Sequence, residues 1–109
     1  MWRCGVCGFV WEGEEPPDVC PKCGASRDKF AALDDKAMEL VERSRFTNSL
    51  HMQLHVLMEE VAALAEDGID DNLDPSCVKI FTRALEQAEL IQQLCKAELQ
   101  GHMNKGKWG

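Results

Sequence analysis

Apolar positions divide the chain into two unlike parts. From Lys36 to about Glu66 they keep helical time: Leu50, Leu54, Leu57, Val61 and Leu64 are spaced alternately by four and three residues, the rhythm of a packed seam. The polar stretch "EDGIDDNLDPS" interrupts it. Beyond that, Cys77, Phe81, Ala84, Ala88, Ile91 and Cys95 resume the four-three rhythm to about Gln100. The pattern predicts two helices, about 35–66 and 75–100. Asp34-Asp35 gives the first an acidic start that suits the helix dipole. Gly68 fits its C-terminal cap. Asp74 followed by Pro75 fits an N-cap and first helical position. A loop this short predicts an antiparallel hairpin.

Apolar residues also lie off these seams. Met38, Met52, Val56 and Ala63 occupy the other side of the first helix, and in the second Leu85 and Leu99 lie beside the seam and Leu90 and Leu94 off it. Apolar surface spread this widely calls for burial on more than one side. A homodimer or higher oligomer, in which two hairpins form a four-helix bundle, is the expected arrangement. The competing one is a monomer whose N-terminal part packs across the spare face.

Residues 1–33 show no helical period. They hold three of the four prolines, half of the glycines and four of the six cysteines. The expected organisation is a metal-binding domain over 1–33, a helical hairpin over 34–102 and a tail over 103–109. A chain of 109 residues with net charge -7 argues against nucleic-acid and anionic-membrane partners. No apolar run approaches membrane-spanning length, and "MWRCGV" lacks the features of an export signal. The expected location is therefore cytoplasmic, where paired cysteines bind metal or do redox work more often than they form disulfides.

Cys4/Cys7 and Cys20/Cys23 are two CxxC pairs separated by twelve residues. A CxxC turn aims both sulfurs into one concavity, and glycine after each pair (Gly8, Gly24) permits the positive φ such a knuckle needs. Pro21 stiffens the second knuckle. Four thiolates in this pattern point to a tetrahedral zinc or iron site, which spacing alone does not separate. Two disulfides are the alternative that a cytoplasmic setting disfavours.

The wider pattern narrows the choice. "WRCGVCG", the Gly13 turn, "CPKCG" and the closing "DKF", from Trp2 through Phe30, closely resemble the short rubredoxin module of rubrerythrins. The resemblance implies a rubredoxin-like fold with one Fe(Cys)4 centre per chain, cycling between Fe2+ and Fe3+ on Cys4, Cys7, Cys20 and Cys23. Zinc is the possible substitute. It also implies a one-electron carrier, not an enzyme, with a redox donor and acceptor as partners. Trp2, Phe9, Trp11 and Phe30 are expected to shield the centre. A zinc ribbon serving only as a structural clip is the rival reading.

Rubrerythrins join this module to a di-iron bundle built on Glu-x-x-His. The residues three before His51, His55 and His102 are Asn48, Met52 and Leu99, so the motif is absent. A weaker constellation, His51, His55 and Glu59, recurs every four residues along the first helix and is a possible second metal site. The bland reading gives a buried-edge histidine and a solvated flank. Cys77 and Cys95 read as small buried hydrophobes. The acidic loop lacks the glycine position and closing glutamate of a calcium loop.

Overall fold

A computed structural model describes all residues, Met1–Gly109. Three short strands, β1 (Trp2–Cys4), β2 (Val10–Trp11) and β3 (Phe30–Ala32), precede two long helices, α1 (Asp35–Asp71) and α2 (Pro75–Asn104). No helix is long and apolar enough to cross a membrane. The chain forms two compact units, Met1–Arg45 with Lys105–Gly109, and Phe46–Asn104, and the boundary falls within α1.

In the first unit the sheet order is β2-β1-β3, both pairings antiparallel, with Trp2 opposite Trp11 and Cys4 opposite Phe30. So small a sheet has almost no core of its own. Cys4, Cys20 and Phe30 are its buried residues, with Trp2, Cys7, Phe9, Trp11 and Ala25 packed against them. The aromatic shield expected around the cysteines is thus also the module's core. Asp34 caps α1, its carboxylate accepting from the Ala37 N–H at 2.8 Å. Residues 105–109 belong to this unit. Arg3 Nη2 donates to the Trp108 carbonyl at 2.9 Å, and Arg45 Nε donates to the Gly109 carbonyl at 2.8 Å.

The second unit is an antiparallel hairpin, as three cross-helix pairs establish. His102 Nδ1 meets Asn48 Oδ1 at 2.5 Å, Gln92 Nε2 donates to the His55 carbonyl at 3.2 Å, and Gly68 lies against the Phe81 ring. Asp74 caps α2 by accepting from the Cys77 N–H at 2.7 Å, and that bond holds its carboxyl below the usual range.

Two expectations need correction. α1 does not stop near residue 66 but continues through Gly68 to Asp71, where Asn72 takes the positive φ of 49° that ends it. α2 likewise runs on through Gly101 to Asn104. Gly68 serves close packing instead of capping: a Cβ there would stand 2.5 Å from Phe81 Cγ. The leucine stripe is also not what closes the hairpin. Leu50, Leu54, Leu57 and Leu64 are 46, 38, 53 and 62% exposed, while Asn48, Ala65, Ala88, Cys95 and His102 are buried. Small residues let two helices approach closely, so the hairpin shuts along its small and polar stripe and leaves the leucines outside.

Candidate metal centre

The two CxxC turns have the same hydrogen bonds. Cys4 N–H donates to the Phe9 carbonyl at 2.8 Å, and Gly8 N–H returns to the Cys4 carbonyl at 2.9 Å. Cys20 N–H donates to Ala25 at 2.8 Å, and Gly24 N–H returns to Cys20 at 2.9 Å. Gly8 and Gly24 close these turns with φ of 80° and 76°, a conformation costly for other L-residues. Two copies of one local structure, docked face to face, bring the four sulfurs together.

Their ligand atoms all lie within 4.8 Å of one another. Cys4 Sγ is 3.7 Å from Cys23 Sγ, and Cys7 Sγ is 3.7 Å from Cys20 Sγ. A tetrahedron with such edges places each sulfur about 2.3 Å from its centre, a metal–thiolate bond length. All six cysteines are free thiols. The first cysteine of each pair is sealed, Cys4 at 1% and Cys20 at 2% exposure, whereas Cys7 is half-buried and Cys23 reaches solvent.

Electrostatics shows what the sulfurs lack. The Cys7 and Val6 N–H groups face the Cys4 sulfur and outweigh burial, so its pKa is lowered. Burial pushes Cys20 up, but the Cys23 and Lys22 N–H groups and the neighbouring thiols bring it down to about 7. At Cys23 the Ala25 N–H lowers the pKa, yet burial and the three other sulfurs outweigh it and push the thiol up to about 12. The knuckle amides welcome the first thiolate charges, and the last cannot form beside them without a cation. Those backbone donors carry no residue-type signal, so only the CxxC spacing foretells them. The donor set and its spacing therefore fit a tetrahedral metal ion.

The histidines meet different partners. His51 packs edge-on against His102, with ring centroids 6.1 Å apart. His55 Nδ1 lies 3.6 Å from Glu59 Oε1. His102 Nε2 lies 3.0 Å from Glu98, so both of its ring nitrogens are engaged. The four cysteines are the one group of three or more His, Cys, Asp or Glu ligand atoms gathered closely enough for an ion. His51, His55 and Glu59 share a helix side without forming such a group. Asn48 and Glu98 engage the two ring nitrogens of His102, and Gln92 holds the His55 backbone carbonyl. Of these, only the four-residue spacing of Glu98 and His102 is visible in the sequence. Cys95 is buried, and the Asp74 carboxylate beside Cys77 raises that thiol's pKa.

Comparison with known proteins bears on the same segment. Residues 2–31 match the family model described as the rubredoxin-like domain of rubrerythrin. Reverse rubrerythrin-1 of Clostridium acetobutylicum is 46% identical over 35 residues, 32% of this chain and 19% of that protein. A rubrerythrin of Clostridium perfringens is 61% identical over 23 residues, covering 21% and 12% of the two chains. A putative rubrerythrin of Methanocaldococcus jannaschii is 46% identical over 35 residues, 32% of this chain and 17% of its own length. The matched stretch thus spans less than a fifth of each relative. No solved structure is a significant match.

Proposed function

Because residues 2–31 are a rubredoxin-like domain of rubrerythrin type, we propose that this module carries one electron at a time between redox partner proteins. Iron held by Cys4, Cys7, Cys20 and Cys23 supplies the chemistry, a one-electron exchange between the ferric and ferrous states. The observation that carries the reading is the layout of the four sulfurs. Four sulfurs within 4.8 Å of one another can supply all four positions of a tetrahedral ion, which would leave no ligand site for a substrate, and two are sealed while Cys23 reaches the surface. The sealed pair keeps water off the inner side. The outer edge at Cys7 and Cys23 offers a short path to a docked donor or acceptor, beside the exposed side chain of Val6. The amides of Val6, Cys7, Lys22, Cys23 and Ala25 draw charge from the sulfurs and so favour the reduced, more electron-rich centre. In this reading the module is a carrier, and any bond change belongs to its partners.

The test is to supply iron anaerobically to the full chain and titrate it with reductant. The carrier reading requires a coloured oxidised form that bleaches reversibly with one electron per chain. A protein that takes only zinc under those conditions would overturn it in favour of a structural zinc ribbon, which the same sulfur geometry also suits.

A further inference from the structure

Arg3 stands in β1 between Trp2 and the ligand Cys4. Its guanidinium is part-buried, yet it has no carboxylate partner. The other arginines of this unit do not share that condition. Arg27 pairs with Glu15 at 2.7 Å and Asp18 at 3.4 Å, Arg45 pairs with Glu12, and Arg43 is exposed. Arg3 Nη2 donates to a neutral acceptor, the Trp108 carbonyl, at 2.9 Å, while Nε is buried with no hydrogen-bond partner. Taking a cation out of water without an anion costs folding free energy, so its hydrogen bonds do not explain why the fold keeps it there. Residues 105–109 are the strap that encloses it. Gly106, at φ 74°, passes so close that a Cβ there would stand 3.9 Å from Arg3 Nη1. Gly109 anchors the strap, its carbonyl accepting from Arg45 Nε and its backbone lying against Val10 and the fully buried Val41.

We propose that Arg3 is the charge partner of the four-cysteine centre, that it raises the centre's reduction potential, and that the strap sets the size of this effect by keeping water off the guanidinium. The inference rests on the carrier reading of the module. Four thiolates around Fe3+ leave the centre anionic, and reduction makes it more so, which a nearby cation favours. Trp2 packs with Cys4 on the cysteine core, so alternation along β1 turns Arg3 to the opposite face of the sheet. The two charges therefore act through protein and not by contact, and a lower dielectric than that of water lengthens their reach. Lys22 supplies the contrast. It too adjoins a ligand, Cys23, but it is exposed, and solvent ions screen it.

The test is the reduction potential of the iron-loaded full chain. Arg3→Gln removes the charge and is expected to move the Fe3+/Fe2+ equilibrium at least about threefold towards the ferric form, a fall of about 28 mV at 59 mV per tenfold. That fall should survive about 1 M salt, where the screening length is about 3 Å, whereas any fall caused by Lys22→Gln should vanish there. Arg3→Lys keeps the charge and should restore most of the potential. Gly106→Val puts a β-branched residue at positive φ and so releases the strap. It should lower the potential with Arg3 in place and add nothing to the effect of Arg3→Gln. The colour of the oxidised form shows whether each variant keeps its iron; if Arg3→Gln loses it, Gly106→Val decides, and an unchanged potential there overturns the proposal. An unchanged potential in iron-loaded Arg3→Gln, or additive falls in the double variant, overturns it too and leaves the carrier reading intact. A chain that takes only zinc, or that does not titrate with one electron, removes the carrier reading and this inference with it.

Discussion

At the scale of single residues, the module is built by backbone donors and two glycines as much as by the cysteines. Gly8 and Gly24 have open space where a Cβ would go, so the only obstacle to alanine is the positive φ. Gly8→Ala should therefore cost about 1–2 kcal/mol of module stability, the price of a left-handed L-residue. Urea unfolding of the metal-loaded protein, followed by tryptophan fluorescence, measures it. The thiols give a pH dependence with a definite sign. Metal binds thiolates, so protons compete with it and affinity falls as pH falls. In the metal-free cluster Cys20, with pKa about 7, is half protonated at neutral pH, and Cys23, at about 12, is fully protonated. Binding at pH 7 must therefore release more than one proton per ion, and affinity should keep rising well above pH 7. Calorimetric titration with zinc in buffers of different ionisation enthalpy counts those protons. A release of one or fewer would contradict the arrangement of amides and sulfurs described above.

At the scale of elements, Gly68 offers a case in which two effects oppose. Replacing a mid-helix glycine by alanine ordinarily stabilises by about 1 kcal/mol through propensity. Here the added methyl would meet the root of the Phe81 ring, which cannot swing clear as the tip of a flexible side chain can. Overpacking of this kind costs roughly 1–3 kcal/mol. Gly68→Ala should therefore destabilise the hairpin or at best leave it unchanged, and Gly68→Val should do so clearly, as read by loss of helical circular dichroism in urea. The same residue shows what was legible in the sequence. CxxC spacing and knuckle glycines specified the metal site because its chemistry demands fixed residue types at fixed separations. The cap at Asp74-Pro75 was legible for the same reason. Gly68 was not, because a glycine after an apolar run reads equally as a cap or as a close contact, and only the opposing Phe81 decides. The seam failed on similar grounds. Periodicity locates apolar stripes on a helix but does not say which stripe meets its own chain, and Ala65, Ala88 and Gly68 permitted an approach that leucines would have blocked.

At the scale of the whole molecule, the two units draw their stability from different sources. In the first, the buried cluster is Cys4, Cys20 and Phe30, two of them also candidate metal ligands, and only Val41 and Ser44 are buried besides. A folded unit this small is marginal on such a core, and metal binding there contributes directly to folding. The hairpin of Phe46–Asn104 contains none of the four ligands; its contacts are Ala65 and Ala88, the Gly68–Phe81 packing and the Asn48–His102 bond. Removal of the metal with a strong chelator should therefore separate two signals. Near-UV dichroism and fluorescence from Trp2 and Trp11, which pack on the cysteine core, should collapse. The far-UV helical signal should largely remain, because most helical residues lie in the second unit. Cys20→Ser, which deletes a buried ligand, should reproduce the chelated state with metal present, whereas Cys95→Ala should retain the ion while loosening the helical unit alone. Simultaneous loss of both signals on chelation would mean that the hairpin depends on the metal, contrary to the independent core described for it.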